Sequence, residues 1–250
     1  DWVYVHAEPA SILAHDVAVH RGAFKTALFT WENTPEHYTP FACEVLTEYD
    51  LVVCGNDEAE ALIKQYNENT CILPQVGIDT DHFQARDVPR DVDVAYIGRS
   101  VEEKGIKKLL LAWPTARILE WENYLKLPWW YSQCKIVVSY SQDTPYWKEQ
   151  AMPYVSMEAI CCGALSIVSD AGSIPYWHER YAGDNPGSII VPQKDIASLR
   201  NKIETVLKTE ERASVKRAVT EGRAWIEANL SSKVIASRLV EELGCQKTSP

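Results

Sequence analysis

No stretch of this chain approaches the roughly 18 consecutive apolar residues that a membrane-spanning helix needs. No basic segment followed by an apolar run stands at Asp1-Trp2-Val3-Tyr4, so no secretory signal is read there. The seven cysteines (Cys43, Cys54, Cys71, Cys134, Cys161, Cys162 and Cys245) contain no CxxC pair. The six histidines show no zinc-like spacing with them, so reduced core thiols are expected rather than a metal module. There is no basic surplus: 25 Lys and Arg against 35 Asp and Glu leave a net charge of −10 and a pI near 5.1. That argues against nucleic acid as a partner, which demands a basic stripe. It leaves room for an anionic nucleotide in one local basic pocket. No GxGxxG follows a strand, which disfavours a Rossmann dehydrogenase, and there is no internal repeat or low-complexity tract. What is left is an ordinary globular chain of 250 residues, 46% apolar and 24% charged, long enough for one large domain or two small ones. Its expected location is the cytoplasm, with peripheral association with a membrane left open.

The apolar runs set out an alternating order. Residues 2–6, 27–30 and 51–54 read as buried strands, and 10–20 and 58–66 as helices between and after them. A short strand at 71–73 ends at Pro74. Residues 75–90 carry Gly, Pro, Asp and Arg without periodicity and read as a linker. The pattern then restarts: a strand at 92–97, a turn and helix over 98–113, and strands at 116–119 and 136–140. A helix at 153–162 is stopped by Gly163 and followed by a strand at 165–169. From Asp195 onward the pattern is helical, clearest at 213–229 and 231–243. Alternation on both sides of a linker predicts an α/β protein of two Rossmann-like halves. The expected division is a domain over 1–74, a linker over 75–91, a second domain over 92–228, and a C-terminal helix over 229–250 that crosses back to the first domain.

Two segments carry chemistry. Gly98-Arg99-Ser100-Val101-Glu102-Glu103-Lys104-Gly105 follows a strand and opens a helix, where backbone N–H groups and the helix dipole favour an anion. Arg99 offers a fork of donors and Lys104 a point charge, and a diphosphate uses both. The bland alternative is a surface turn with two solvated cations. The second segment runs from Gln150 through Pro153, Tyr154, Val155, Ser156 and Glu158 to Gly163. Pro153 suits a first helical turn, and Glu158 falls on a helix whose start lies at the carboxyl end of a strand, where open α/β sheets bind ligands. A carboxylate there holds a vicinal diol such as ribose. An ordinary exposed helical Glu is the competing reading, and the apolar neighbours favour burial.

Together these segments resemble the retaining GT-B glycosyltransferases of family 4 (glycosyl transferases group 1). The family's GR-x4-KG turn stands as Gly98-Arg99 and Lys104-Gly105, and its E-x7-E element as Gln150-x7-Glu158, continued through Ala159-Ile160-Cys161-Cys162-Gly163. The stretch from Leu127-Pro128 to Cys134 resembles LPxxYxxAD. The stretch from Leu73-Pro74 to Phe83 resembles IPNGVDxxxF, and Asp1–His6 resembles the DVVHAH strand of the acceptor domain. The resemblance implies two Rossmann-like domains facing a cleft and sugar transfer from a UDP- or GDP-linked donor to a glycan, lipid or small-molecule hydroxyl. It implies no further cofactor and no metal, with a homo-oligomer left open. It places Arg99 and Lys104 on the diphosphate, with Gly98, Glu149, Gln150, Pro153, Tyr154, Val155 and Glu158 around the donor, Glu158 on the ribose. Backbone N–H groups of Tyr154, Val155 and Ser156 add to the phosphate site, and His6 reaches the transferred sugar. Lys104, Arg99, Gln150 and His6 form the catalytic set.

The chain departs from the family in three ways. Gln150 stands in place of the first Glu of the pair, or, as the alternative, a one-residue bulge brings Glu149 beside it into that place. Counting from Asp1 puts His6 in the active register, whereas counting back from Glu8-Pro9 puts Ala7 there. The acceptor half is short of strands and of its glycine-rich loop, and 113–127 has room for one strand, so a minimal protein or a fragment is expected. A catalytically silent nucleotide-sugar-binding relative is the alternative function; a nucleotide-sugar epimerase fits the Gln150–Glu158 region less well.

Overall fold

The computed structural model describes residues 1–20, 22–32, 35–120, 122–145, 147–180, 187–208 and 212–244. The chain divides into two compact units: Asp1–Gly77 with Gln150–Met152 and Lys233–Pro250, and Ile78–Glu149 with Pro153–Ser232.

The first unit is built on a four-stranded parallel sheet in the order β1 (Trp2–His6), β2 (Lys25–Thr30), β3 (Leu51–Cys54), β4 (Thr70–Ile72). All four residues of β3 and five of six in β2 are buried. Strands covered on both faces read as continuous apolar runs in this way. One face packs Val5, Leu28 and Val52 against α1 (Ile12–His20), α2 (Pro40–Thr47) and α3 (Asp57–Ile63) through Ala14, Leu46 and Ile63. The other face packs Phe29 and Val53 against Leu239 of α10 (Ser232–Glu242). Asn56 starts α3 by accepting from the Ala59 amide at 2.7 Å, and Thr39 caps α2 from Ala42. Such caps satisfy N–H groups that a helix start leaves without partners.

The second unit holds a five-stranded parallel sheet in the order β6 (Arg117–Leu119), β5 (Val92–Ile97), β7 (Cys134–Ser139), β8 (Leu165–Ser169), β9 (Ser188–Val191). From β5 the chain steps to β6 on one side and then to β7 on the other. The strand order therefore reverses between β5 and β7, and a crevice opens at such a switch point in open α/β sheets. One face buries Val94, Ile136 and Ile167 under α4 (Ile106–Ala112), α8 (Ile196–Leu207) and α9 (Arg212–Asn229) through Leu109, Leu199, Ile203 and Val219. Helix α6 (Tyr154–Cys161) packs on β7 and β8, with α5 (Leu127–Gln133) beside it.

Elements β1, β3, β5 and β8 have the bounds expected from the sequence. Four elements were not read there: α2, α5, α7 (Ile174–Arg180) and β9. The segment read as an aperiodic linker groups from Ile78 onward with the second unit. Arg223 of α9 holds it by donating to the carbonyls of Phe83 at 2.9 Å and Thr80 at 3.2 Å. Six cysteines are free thiols, and Cys245 lies outside the described residues. Burial pushes the Cys134 and Cys161 thiols up to about 12, so both stay protonated and act as small apolar groups. No helix among the described residues is long and apolar enough to cross a membrane.

Candidate functional site

The turn after β5 is pressed onto the end of β7. Gly98 donates its amide to the Leu119 carbonyl at 3.0 Å, and the buried Tyr96 hydroxyl donates to the Arg99 carbonyl at 2.5 Å. Burial, the largest cause, pushes the Tyr96 phenol up to about 12, so it remains a donor. A single 3-10 turn, Glu102–Lys104, then leads into α4 through Gly105. Gly105 has φ of +66°, and a Cβ there would lie 2.1 Å from the Tyr140 carbonyl oxygen. Only glycine combines that left-handed backbone with that approach. The packing fixes where Lys104 emerges.

Lys104 extends to the loop that follows β7. Its Nζ lies 2.5 Å from Glu149 Oε2, and the buried Ser141 hydroxyl donates to the same oxygen at 2.6 Å. The ammonium also stands 5.1 Å from the centre of the Trp147 ring. The side chains of Lys104 and Glu149 are only 19% and 12% exposed, so water screens the pair weakly. The Glu149 carbonyl in turn accepts from the Ser173 amide at 2.7 Å. The two loops that meet here are those following β5 and β7, the strands at the switch point. Arg99 differs: it is exposed, and its side chain makes no hydrogen bond or ion pair among the described residues.

Gln150 goes elsewhere. Although it adjoins Glu149, it groups with the first unit, where its carbonyl accepts from Asn56 Nδ2 at 3.0 Å. Its own amide nitrogen donates to Glu32 Oε1 at 3.2 Å. Glu32 is buried just beyond the carboxyl end of β2, its other oxygen 2.8 Å from His37 Nδ1 and its carbonyl accepting from the Tyr38 hydroxyl at 2.6 Å. The sequence did not single out Glu32. A carboxylate two residues past the end of a strand read from the run Ala27-Leu28-Phe29-Thr30 was the available signal, because strand ends are where such sheets bind ligands. His6 ends β1 in register with Phe29, ring stacked on ring at 5.0 Å, with Gln75 Nε2 3.5 Å from its Nδ1. His6 is exposed to solvent, and its ring is partly covered. The partial cover lowers its pKa from the usual value, so at neutral pH it is an uncharged donor and acceptor.

In the second unit Pro153 takes the N-cap position of α6, and no side chain caps that start. Tyr154 and Val155 begin the helix. The Ser156 amide is engaged with the Pro153 carbonyl at 2.9 Å, which takes it out of the expected set of phosphate donors. Its hydroxyl, by contrast, is buried with no hydrogen-bond partner among the described residues. Glu158 lies on the second turn of the same helix and accepts from the Tyr131 hydroxyl at 2.8 Å. Desolvation raises the Glu158 pKa, opposed by the Tyr131 hydrogen bond and by His82. His82 itself stacks on Tyr124 at 4.6 Å. No cluster of three or more His, Cys, Asp or Glu suited to a metal ion forms among the described residues.

No family model matches the chain, and no curated protein matches it. Solved structures do. The HepE protein of Anabaena in complex with UDP has a TM-score of 0.78 at 15% identity, covering 98% of this chain and 78% of that one. HepE has also been solved with UDP-glucose. Sucrose-phosphate synthase of Thermosynechococcus elongatus gives 0.75 at 15% identity, covering 97% and 73%. A glycosyltransferase of Rickettsia africae gives 0.70 at 14%, covering 100% and 78%. At such identities the likeness is one of fold: two parallel α/β sheets, the architecture of GT-B glycosyltransferases.

Proposed function

We propose that the chain moves a sugar from a nucleoside diphosphate sugar to the hydroxyl of a glycan, lipid or small molecule, with retention at the anomeric carbon. The observation that carries this reading is Lys104, held at the β5–β7 switch point by Glu149, whose carboxylate also accepts from Ser141. An ammonium there meets a diphosphate and offsets the charge that grows on the leaving oxygen. Arg99, on the same turn and uncommitted, supplies a second cation. The uncapped start of α6, with the unpartnered Ser156 hydroxyl, offers further donors to phosphate. Glu158, steadied by Tyr131, accepts from the ribose diol.

In the reaction so read, the acceptor oxygen bonds to the anomeric carbon on the face from which the diphosphate leaves. The acceptor proton passes to the departing phosphate oxygen. No protein nucleophile and no metal is required of this arrangement, because the cations stabilise the leaving group. UDP is the proposed carrier, supported by the UDP and UDP-glucose complexes of the structurally similar HepE. Thermal shift against UDP, GDP, ADP and dTDP tests the donor reading. UDP is expected to raise the melting temperature, since a ligand of the native state stabilises it by mass action. No response to any of the four would contradict it.

A further inference from the structure

The second unit holds a cavity of about 480 Å³ that none of the residues proposed for sugar transfer lines. Arg90 lies just ahead of β5, Lys135 near the start of β7 and Gly163 just ahead of β8. The cavity therefore faces the amino-terminal ends of these parallel strands, whereas Lys104 and Glu149 follow carboxyl ends. Val206, at the end of α8, with Val215 and Val219 of α9, gives it an aliphatic wall. Its volume falls in the range of about 300–1,000 Å³ typical of small-molecule sites.

The charge of the lining is one-sided. Among the described residues that line it, three (Arg90, Lys135 and Lys216) are cationic and none is acidic, in a chain whose acidic residues outnumber its basic ones by 35 to 25. Arg90 is fixed in the wall by donating to the carbonyls of Cys134 at 2.8 Å, Cys162 at 3.2 Å and Gly163. A Cβ on Gly163 would lie 2.5 Å from Arg90 Nη2, so the glycine is what admits the guanidinium. Lys135 is paired with Asp93, but the exposed Lys216 has no ion pair among the described residues. An aliphatic wall with an exposed cation beside it that has no ion pair among the described residues suits a ligand with an apolar tail and an anionic head.

We propose that this cavity binds an alkyl chain of about six to eight carbons carrying a carboxylate or phosphate head, at a site separate from the sugar-transfer site. Lys216 and Arg90 meet the head, and the valines take the chain. Calorimetry on the full chain with hexanoate, octanoate, octyl phosphate and octanol tests it. Each methylene buried is expected to tighten binding about fourfold, so octanoate binds about fifteenfold better than hexanoate. Octanol, without a charge, is expected to bind about tenfold more weakly than octanoate. Octyl phosphate binding above octanoate would assign a phosphate head, and the reverse a carboxylate. Lys216→Glu is expected to weaken both anions about tenfold and leave octanol unchanged. Thr220→Trp, an exposed position at the rim, is expected to block all the probes. Both variants keep the parent's UDP response, so the outcome is independent of the proposed transfer activity. Octanol binding as tightly as octanoate, indifference to chain length, an unchanged Lys216→Glu variant, or no binding by either octyl anion would each overturn the proposal.

Discussion

Lys104 Nζ and Glu149 Oε2 stand 2.5 Å apart, joining the loop after β5 to the loop after β7 in an ion pair that Ser141 completes. An anion arriving at Lys104 competes with that carboxylate. Lys104→Ala is therefore expected to weaken UDP binding about tenfold to a hundredfold, the worth of a charge-assisted phosphate contact. Uridine, with no phosphate, should bind the variant and the parent alike. Glu149→Gln is expected to act in the opposite direction, tightening UDP by removing the competitor while slowing transfer. Calorimetry with both ligands on both variants checks the pair.

The half-buried position of Glu158 has a consequence for pH. Its folded pKa is raised above the ordinary glutamate value of 4.5 by desolvation. The folded state thus binds a proton more tightly than the unfolded chain. The stability this group contributes is fully present below that value and is lost as pH rises through the raised folded pKa. Glu158→Gln is expected to raise the melting temperature at neutral pH, with the gain vanishing as pH falls below 4.5. The same variant should bind UDP more weakly, since an amide is a poorer partner for a diol than a carboxylate. Melting curves across pH, with and without UDP, measure both effects. A neutral-pH stability loss with unchanged UDP affinity would make Glu158 a packing residue.

Gln150 and Glu32 set up a third expectation. Gln150→Glu restores the carboxylate of the family pattern but places it against a buried acid whose amide partner it removes. It is expected to destabilise the protein at neutral pH by about 1–3 kcal/mol, the cost of an uncompensated buried polar contact. Adding Glu32→Gln should recover most of that loss, a coupling that a double-mutant cycle in denaturant reads out.

Gly105→Ala tests the packing that places Lys104. A left-handed alanine costs about 1–2 kcal/mol before any clash, and the new Cβ would press on the Tyr140 carbonyl. Denaturation should show a loss of at least about 2 kcal/mol, and UDP affinity should fall with it as the turn shifts.

Much of the architecture was legible because its signals are local. The strand over 92–97, the glycine at 98 and the glycine at 105 mark a strand, a tight turn and a helix start within fourteen residues, and those are the elements found. Helix α2 was not read because eight residues, with Ala42, Val45 and Leu46 buried, give too little periodicity to stand out. Helix α5 opens Leu127-Pro128 and α7 opens Ile174-Pro175, and a proline so early reads equally as a turn. Site residues divide on the same principle. Lys104 was visible from its own turn. Glu149 was named from the sequence too, but not as the partner of Lys104, which lies 45 positions away, and Glu32 meets Gln150 across 118. No local pattern encodes pairings at such range. The neighbours Glu149 and Gln150, alternatives for one position when read in sequence, take different partners in different units.

The central claim is transfer of sugar from a nucleoside diphosphate, and turnover of UDP-linked sugars tests it. The purified chain is incubated with UDP-glucose, UDP-galactose and UDP-N-acetylglucosamine, with water as the acceptor, following UDP release and the anomeric configuration of the sugar first released by NMR. The expected result is UDP release from one of these donors, abolished by Lys104→Ala, with the configuration of the donor retained in the product. Saturable UDP binding without release from any donor would contradict it and leave the chain a nucleotide-sugar-binding protein.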